Sequence, residues 1–292
     1  EDQIYTGDID IAILTFLNKN NEINNTFIPT NKTIHLKNIK IDNEAPQIQQ
    51  AQISSSTFKN NDKLTLTLNT TENRGSGIDT NSINFTMNAT QISGDKVSWN
   101  DNNGVCTCEL TVKEKDGLAE IYGKDENTPI YSIKSDNEKI EITDIYASDK
   151  VGNKGNSYTG NVSSVYYAPL EKAFEKDTLI FSSDNASPFK YAIDGNTLNV
   201  SFSTTHPVGI KNVKLAGNDI HVDGYSTEWG FSCKIDENQD IKDNSDIDFT
   251  FTLFDEAGNE EISKTQKNSS NQIIYYAPLK ESCKSLSFIS DN

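Results

Sequence analysis

The segment Val165-Tyr166-Tyr167-Ala168-Pro169-Leu170, followed by Leu179-Ile180-Phe181-Ser182-Ser183-Asp184-Asn185, occurs twice. It returns as Ile274-Tyr275-Tyr276-Ala277-Pro278-Leu279, followed by Leu286-Ser287-Phe288-Ile289-Ser290-Asp291-Asn292. A repeat of about 110 residues is the length of one small β-sandwich and far too long for a solenoid turn. The chain therefore reads as a tandem array. Its 34 % hydrophobic content suits several thin cores better than one large one.

The repeat extends beyond this phrase. Residues 64–71 (Leu64 to Thr71) match residues 198–205 (Leu198 to Thr205) without a gap. Gly77 and Ile78 match Gly209 and Ile210; Ile83, Phe85, Asn88 and Trp99 match Val213, Leu215, Asn218 and Trp229; Cys108 matches Cys233. Residues 145–153 match 251–259, and residues 7–16 near the N-terminus resemble 245–254. Between the matched cysteine and the matched aspartate the first copy has about 19 extra residues, an insertion placed roughly at Lys113–Asn137 and expected to add an edge hairpin or a long loop. The expected division is 1–40 for the C-terminal part of a preceding unit, 41–166 and 167–276 for two whole units, and 277–292 for the first strand of a following one. On this reading the chain is truncated at both ends within the repeat.

Strand signals dominate within each copy. Leu64, Leu66 and Leu68 alternate with polar residues, as do Ile83, Phe85 and Met87 and, in the second copy, Leu198, Val200 and Phe202. Period two means half-buried strands, one face inward and one in water. Asn103-Gly104, Asp116-Gly117, Asp194-Gly195 and Gly217-Asn218 supply turns, because Gly, Asn and Asp tolerate positive φ. Leu170–Lys176 can form one short turn ahead of its strand. The expected fold class is all-β, a series of sandwiches.

The formal charge of −17, with Arg74 the single arginine, speaks against a nucleic-acid partner, since phosphate binding needs a basic face. No run of about 18 apolar residues is present, so no membrane span is expected. Cys106 and Cys108 lie two apart on one strand and share a face, which places them poorly to bond each other. Cys108 and Cys233 read as buried small hydrophobes, and Cys283 could bridge to an adjoining unit. His35, His206 and His221 have no partner at triad or metal spacing; His206, before Pro207, reads as a surface loop residue and His221 as a surface strand residue. No nucleophile elbow, phosphate loop or dinucleotide fingerprint occurs, so no enzyme is expected.

The sharpest local motif is Asp149-Lys150-Val151-Gly152-Asn153, repeated as Asp255-Glu256-Ala257-Gly258-Asn259. Asp can accept backbone N–H groups across the turn, Gly supplies the left-handed position, and Asn caps the segment after the turn. The pattern resembles the D-x-x-G-N hairpin of bacterial Ig-like (Big-type) domains, which recur in large cell-surface and adhesin-like proteins. The resemblance covers both complete copies and implies tandem Ig-like β-sandwiches and an extracellular, cell-surface location. It implies a non-enzymatic stalk, coat or fibre whose partners are neighbouring domains or copies of itself. The alternatives are a glycan- or protein-binding module using the insertion of the first complete unit, a glycosylated filament subunit of a protist surface, and an accessory segment of a secreted enzyme.

Two further readings concern sites. Asp42, Asp149, Asn153, Asp184, Asp255 and Asn259 could supply oxygens to Ca²⁺ where a unit begins, since that ion takes six to eight of them. Sequons stand at Asn24, Asn31, Asn69, Asn84, Asn88, Asn161, Asn185, Asn199 and Asn268. Of these, Asn69, Asn84, Asn88 and Asn199 are expected on outward strand faces, open to sugar.

Overall fold

The computed structural model describes residues 5–12, 33–71, 76–173, 179–184, 191–236, 241–247, 249–264 and 273–277. The fold is all-β. The described helices are a single α-turn, Leu170–Ala173, where the sequence suggested one, and a 3₁₀ turn at Gly94–Lys96. The chain forms two compact units: residues 1–52, 65–109 and 142–162 in the first, and residues 53–64, 110–141 and 163–292 in the second.

One sheet orders its strands Pro129–Ser132, Leu118–Tyr122, Val105–Lys115, Lys63–Thr70, Ile48–Ile53, with Trp99–Asn102 paired to Val105–Lys115. A second runs Thr57–Phe58, Val162–Tyr166, Lys139–Asp149, Ile78–Met87, Thr90–Ile92. A third is ordered Ile180–Ser183, Thr197–Leu215, Phe249–Phe254, Glu260–Lys264, and Asn218–Ile220 and Ser226–Lys234 both pair with its long strand. Smaller sheets join Tyr5–Ala12 to Thr33–Ile41, and Tyr191–Ala192 to Ile274–Tyr275 and Ser245–Asp246.

The alternating strands bury the expected faces. Leu64, Leu66, Leu68, Ile83, Phe85, Met87, Leu198, Val200 and Phe202 are all buried. In the second unit Phe202 stacks on Phe251 with centroids 5.1 Å apart, and Phe249 packs on Phe251 at 4.9 Å. Pairs of this kind add about 1 kcal/mol each beyond area burial. Tight turns form at two of the predicted pairs, where Asn103 and Gly104 take φ 51° and 82°, as do Asp116 and Gly117, and Gly195 takes φ 86° in the turn with Asp194. The turn expected at Gly217-Asn218 instead lies one residue earlier, with Ala216 and Gly217 at φ 53° and 79° and Asn218 opening a strand.

Backbone hydrogen bonds correct part of the sequence alignment. Val112 N bonds Asp62 O while Asn61 N bonds Val112 O; Ile235 N bonds Asn196 O while Gly195 N bonds Ile235 O. Val112 therefore corresponds to Ile235, so Cys233 stands where the first copy has Leu110, and Cys108 stands where the second has Phe231. Trp99 also departs from its match. It lies on the short strand Trp99–Asn102 opposite Cys108, whereas Trp229 lies on the strand Ser226–Lys234 opposite Phe202. A slip of two residues keeps every side chain on its face, so period-two matching cannot detect it.

Candidate functional site: a buried histidine between two carboxylates

The two D-x-x-G-N turns are built alike. Asp149 Oδ1 accepts from Val151 N at 3.0 Å and Asn153 N at 2.8 Å, and its Oδ2 accepts from Asn153 Nδ2 at 2.7 Å. Asp255 Oδ1 accepts from Asn259 N at 2.8 Å, and its Oδ2 from Asn259 Nδ2 at 2.7 Å. Gly152 and Gly258 take φ 98° and 81°, which any Cβ would strain. The asparagine caps the segment by which the chain enters the repeat, not the segment after the turn. Asn153 Nδ2 donates to Asp42 O at 3.0 Å, and Asn259 Nδ2 donates to Ala168 O at 3.3 Å and Tyr167 O at 3.5 Å.

His206 is fully buried, not on a surface loop as expected. The strand Thr197–Leu215 carries it across the sandwich. Residues before it pair with Ile180–Ser183 and Ser226–Lys234, and residues after it pair with Phe249–Phe254 and Asn218–Ile220. The ladder with Ser226–Lys234 is irregular between Ser203 and Val208, so the missing N–H of Pro207 falls at a break in the ladder. There His206 Nδ1 lies 2.7 Å from Asp136 Oδ2, Nε2 lies 3.2 Å from Asp255 Oδ2, and Tyr167 stacks on the ring at 4.5 Å and 14°. Asp136 also accepts from Thr205 Oγ1 and, through Oδ1, from Ala168 N at 2.7 Å. Thr57 Oγ1 donates to Glu256 O at 3.2 Å and Lys59 Nζ to Gly258 O, which fastens the backbone of the same turn.

Burial alone would lower the His206 pKa, but hydrogen bonds to Asp136 and Asp255, with their charges, outweigh it and push it up to about 9. Burial raises Asp136, yet bonds from His206, Thr205 and Ala168 N bring it below the ordinary carboxylate value. The group is thus an imidazolium donating from both nitrogens. With both ring nitrogens engaged and no exposed edge, it ties the three segments that carry Asp136, Asp255 and Tyr167 to its own strand.

The other sequence-derived residues are scattered. Asp42, Asp149 and Asn153 meet at the first turn, where Asp42 also accepts from Ser76 N. Asp255 and Asn259 form the second turn, and Asp184 instead accepts from Thr197 N at 2.7 Å. Among the described residues no group of three or more His, Cys, Asp and Glu is placed to hold a metal ion. Asn161 and Asn199 are exposed. Asn69 and Asn84 are half-buried, with their amide nitrogens donating to Gln50 Oε1 at 3.0 Å and Ser82 O at 2.6 Å. Asn88 is not on a strand face; it takes φ 42° in the turn after Ile78–Met87. Asn24, Asn31, Asn185, Asn268 and Cys283 lie outside the described residues. Cys106 and Cys108 are buried free thiols whose pKa burial pushes up to about 12, and Cys233 is half-buried and free. His221 is exposed as expected, 3.1 Å from Asp223, but lies just past the strand Asn218–Ile220 and not on it.

Sequence reasoning missed Asp136, His206 and Tyr167 as one site. A signal existed: Asp136-Asn137 has a counterpart in Asp243-Asn244. Ala277 N donates to Asp243 Oδ1 at 2.8 Å as Ala168 N does to Asp136, and Asn137 and Asn244 take φ 56° and 55°. Asp136 thus belongs to the common plan, and the inserted part ends before it. What the insertion adds is edge structure: Leu118–Tyr122 pairs with Val105–Lys115, and Pro129–Ser132 pairs outside it.

No family profile and no curated protein sequence matches the chain. Several solved structures are similar at low scores. A dimeric latent PorU from Porphyromonas gingivalis is 11 % identical with TM-score 0.26, over 81 % of this chain and 21 % of that one. The Yersinia pseudotuberculosis adhesin InvE is 13 % identical with TM-score 0.24, over 77 % of this chain and 58 % of that one. A Bacteroides ovatus protein, SGBP-B of a mixed-linkage glucan utilization locus, is 12 % identical with TM-score 0.23, over 80 % and 48 %. The chain thus spans less than two thirds of each. Among the described residues no helix is long and apolar enough to cross a membrane.

Proposed function

We infer that this chain is a segment of an extracellular structural or adhesive surface protein: serial Ig-like sandwiches, working without catalysis as a stalk, coat or fibre. The observation that carries this reading is the joint built around His206. A residue of the first repeat, Asp136, clamps the imidazole and the threonine of the second, and Tyr167 of the connecting phrase stacks on it. A buried ion pair with a stacked ring costs desolvation and gives a defined geometry in return, which suits an array under tension more than a flexible tether.

Force spectroscopy on the full chain tests it. The second repeat should unfold as a discrete event, at a force that His206→Ala lowers. No change with His206→Ala would remove the joint from the mechanical account. A second reading, a glycan- or protein-binding module, is favoured by the added hairpin, whose tip at residues 124–128 is exposed. Glycan-array binding that disappears when only the hairpin tip is shortened, with Asp136 retained, would support it.

A further inference from the structure

The second repeat ends as the first does. Tyr275 is buried and donates to Asp194 Oδ1 at 2.6 Å, as buried Tyr166 donates to Asn60 Oδ1 at 2.8 Å. Asn244 N bonds Tyr275 O at 2.9 Å, which sets the loop against the exit strand. Asp243 Oδ1 caps Ala277 N as Asp136 Oδ1 caps Ala168 N. The two ends differ at the second tyrosine of the phrase. Tyr167 is 6 % exposed beneath His206, whereas its counterpart Tyr276 is 43 % exposed, with the edge of Tyr191 at 6.3 Å.

We propose that Asp243 and Tyr276 form the receiving half of a second joint, which takes a Thr-His pair from a sandwich repeat of the same plan. This rests on the reading of the chain as a serial array. The chemistry of the occupant is that of the filled counterpart. The second oxygen of Asp136 takes a threonine hydroxyl and an imidazole N–H, and the tyrosine face takes the flat imidazolium. The sequence adds a correlation. In the ungapped match of residues 64–71 with 198–205, the residue after the match is Glu72 in the first complete repeat and His206 in the second. By the match of residues 7–16 with 245–254, the position of Asp243 is Tyr5 in the preceding partial repeat. Aspartate and histidine are therefore both absent at one boundary and both present at the next. An aspartate at 243 calls for a histidine in the repeat it receives.

The test extends the full chain, placing a second copy of residues 170–292 after Pro278, and monitors imidazole titration by NMR. The added histidine should titrate well above an ordinary histidine, in the range expected of His206, about 9. Asp243→Ala at the junction should lower the pKa of the added histidine, which then keeps only the counterpart of Asp255, and leave His206 unchanged. An added histidine that titrates normally with Asp243 intact overturns the inference while leaving the joint at His206 standing; a normal His206 would overturn both. If the extended chain does not fold, imidazole itself serves as probe on the unextended protein. It should shift the Ala277 amide resonance in the wild type and not in Asp243→Ala, and no shift in the wild type refutes the receiving half.

Discussion

At the residue scale the ionisation of His206 makes stability depend on pH in a defined direction. Its folded pKa, about 9, lies above the ordinary 6.5. The stabilisation is therefore complete below about pH 6.5 and is lost as pH rises through about 9. Asp136 is shifted down, so its contribution is present above the ordinary carboxylate pKa and is lost as pH falls through the lowered value. The unfolding free energy should plateau between those limits and fall on the alkaline side. In His206→Ala the alkaline slope should flatten, as read from denaturant midpoints across pH. That substitution leaves Asp136 and Asp255 facing each other without their shared cation, and should cost about 3–5 kcal/mol. A cost under about 1 kcal/mol would mean that the ion pair adds little beyond what a solvated pair does. The free thiols make a second case. Cys106 and Cys108 are buried with pKa pushed up to about 12, so neither should react with a disulfide reagent until the protein unfolds.

At the element scale the D-x-x-G-N turn is one device in two settings. Around Asp149 it closes a hairpin and caps the segment at Asp42. Around Asp255 it also receives His206. Asp149→Ala and Asp255→Ala both remove the bonds to the asparagine of the turn; Asp149→Ala also removes the one from Val151 N, and Asp255→Ala the partner of His206. The buried charge partner outweighs one amide bond, so Asp255→Ala should be the more destabilising, by about 1–2 kcal/mol. Equal losses in chemical denaturation would show that Asp136 alone holds the imidazolium. Gly258→Ala should cost about 1 kcal/mol from its positive φ alone. The role of Asp and Gly in this turn was legible in the sequence, because both act within five consecutive residues. The Asn259 contact was not, because Ala168 is brought to it only when the sandwich closes.

At the scale of the whole molecule the charge of −17 should make stability rise with salt. Self-repulsion on an acidic surface is screened within about 8 Å at physiological ionic strength. The melting temperature should climb as sodium chloride is added at pH 7, with chelator present. Chelation itself should leave it unchanged, because the Asp149 and Asp255 carboxylates are already engaged by their turns. A drop on adding EDTA would reinstate the calcium reading.

The all-β class, the repeat, the buried faces and the tight turns came from the chain alone, since alternation and turn chemistry operate over a few neighbouring residues. Tertiary structure decided the rest. It shifted the partner of Cys233 by two residues, a change that leaves the alternation intact. It turned His206, beside a proline and so looking like loop, into a buried cation, because a 19-residue strand carries it from one set of partner strands to another, beside carboxylates 70 and 49 residues away in sequence. Local pattern can say which face of a strand is dry; only the closed sandwich says which charges meet there.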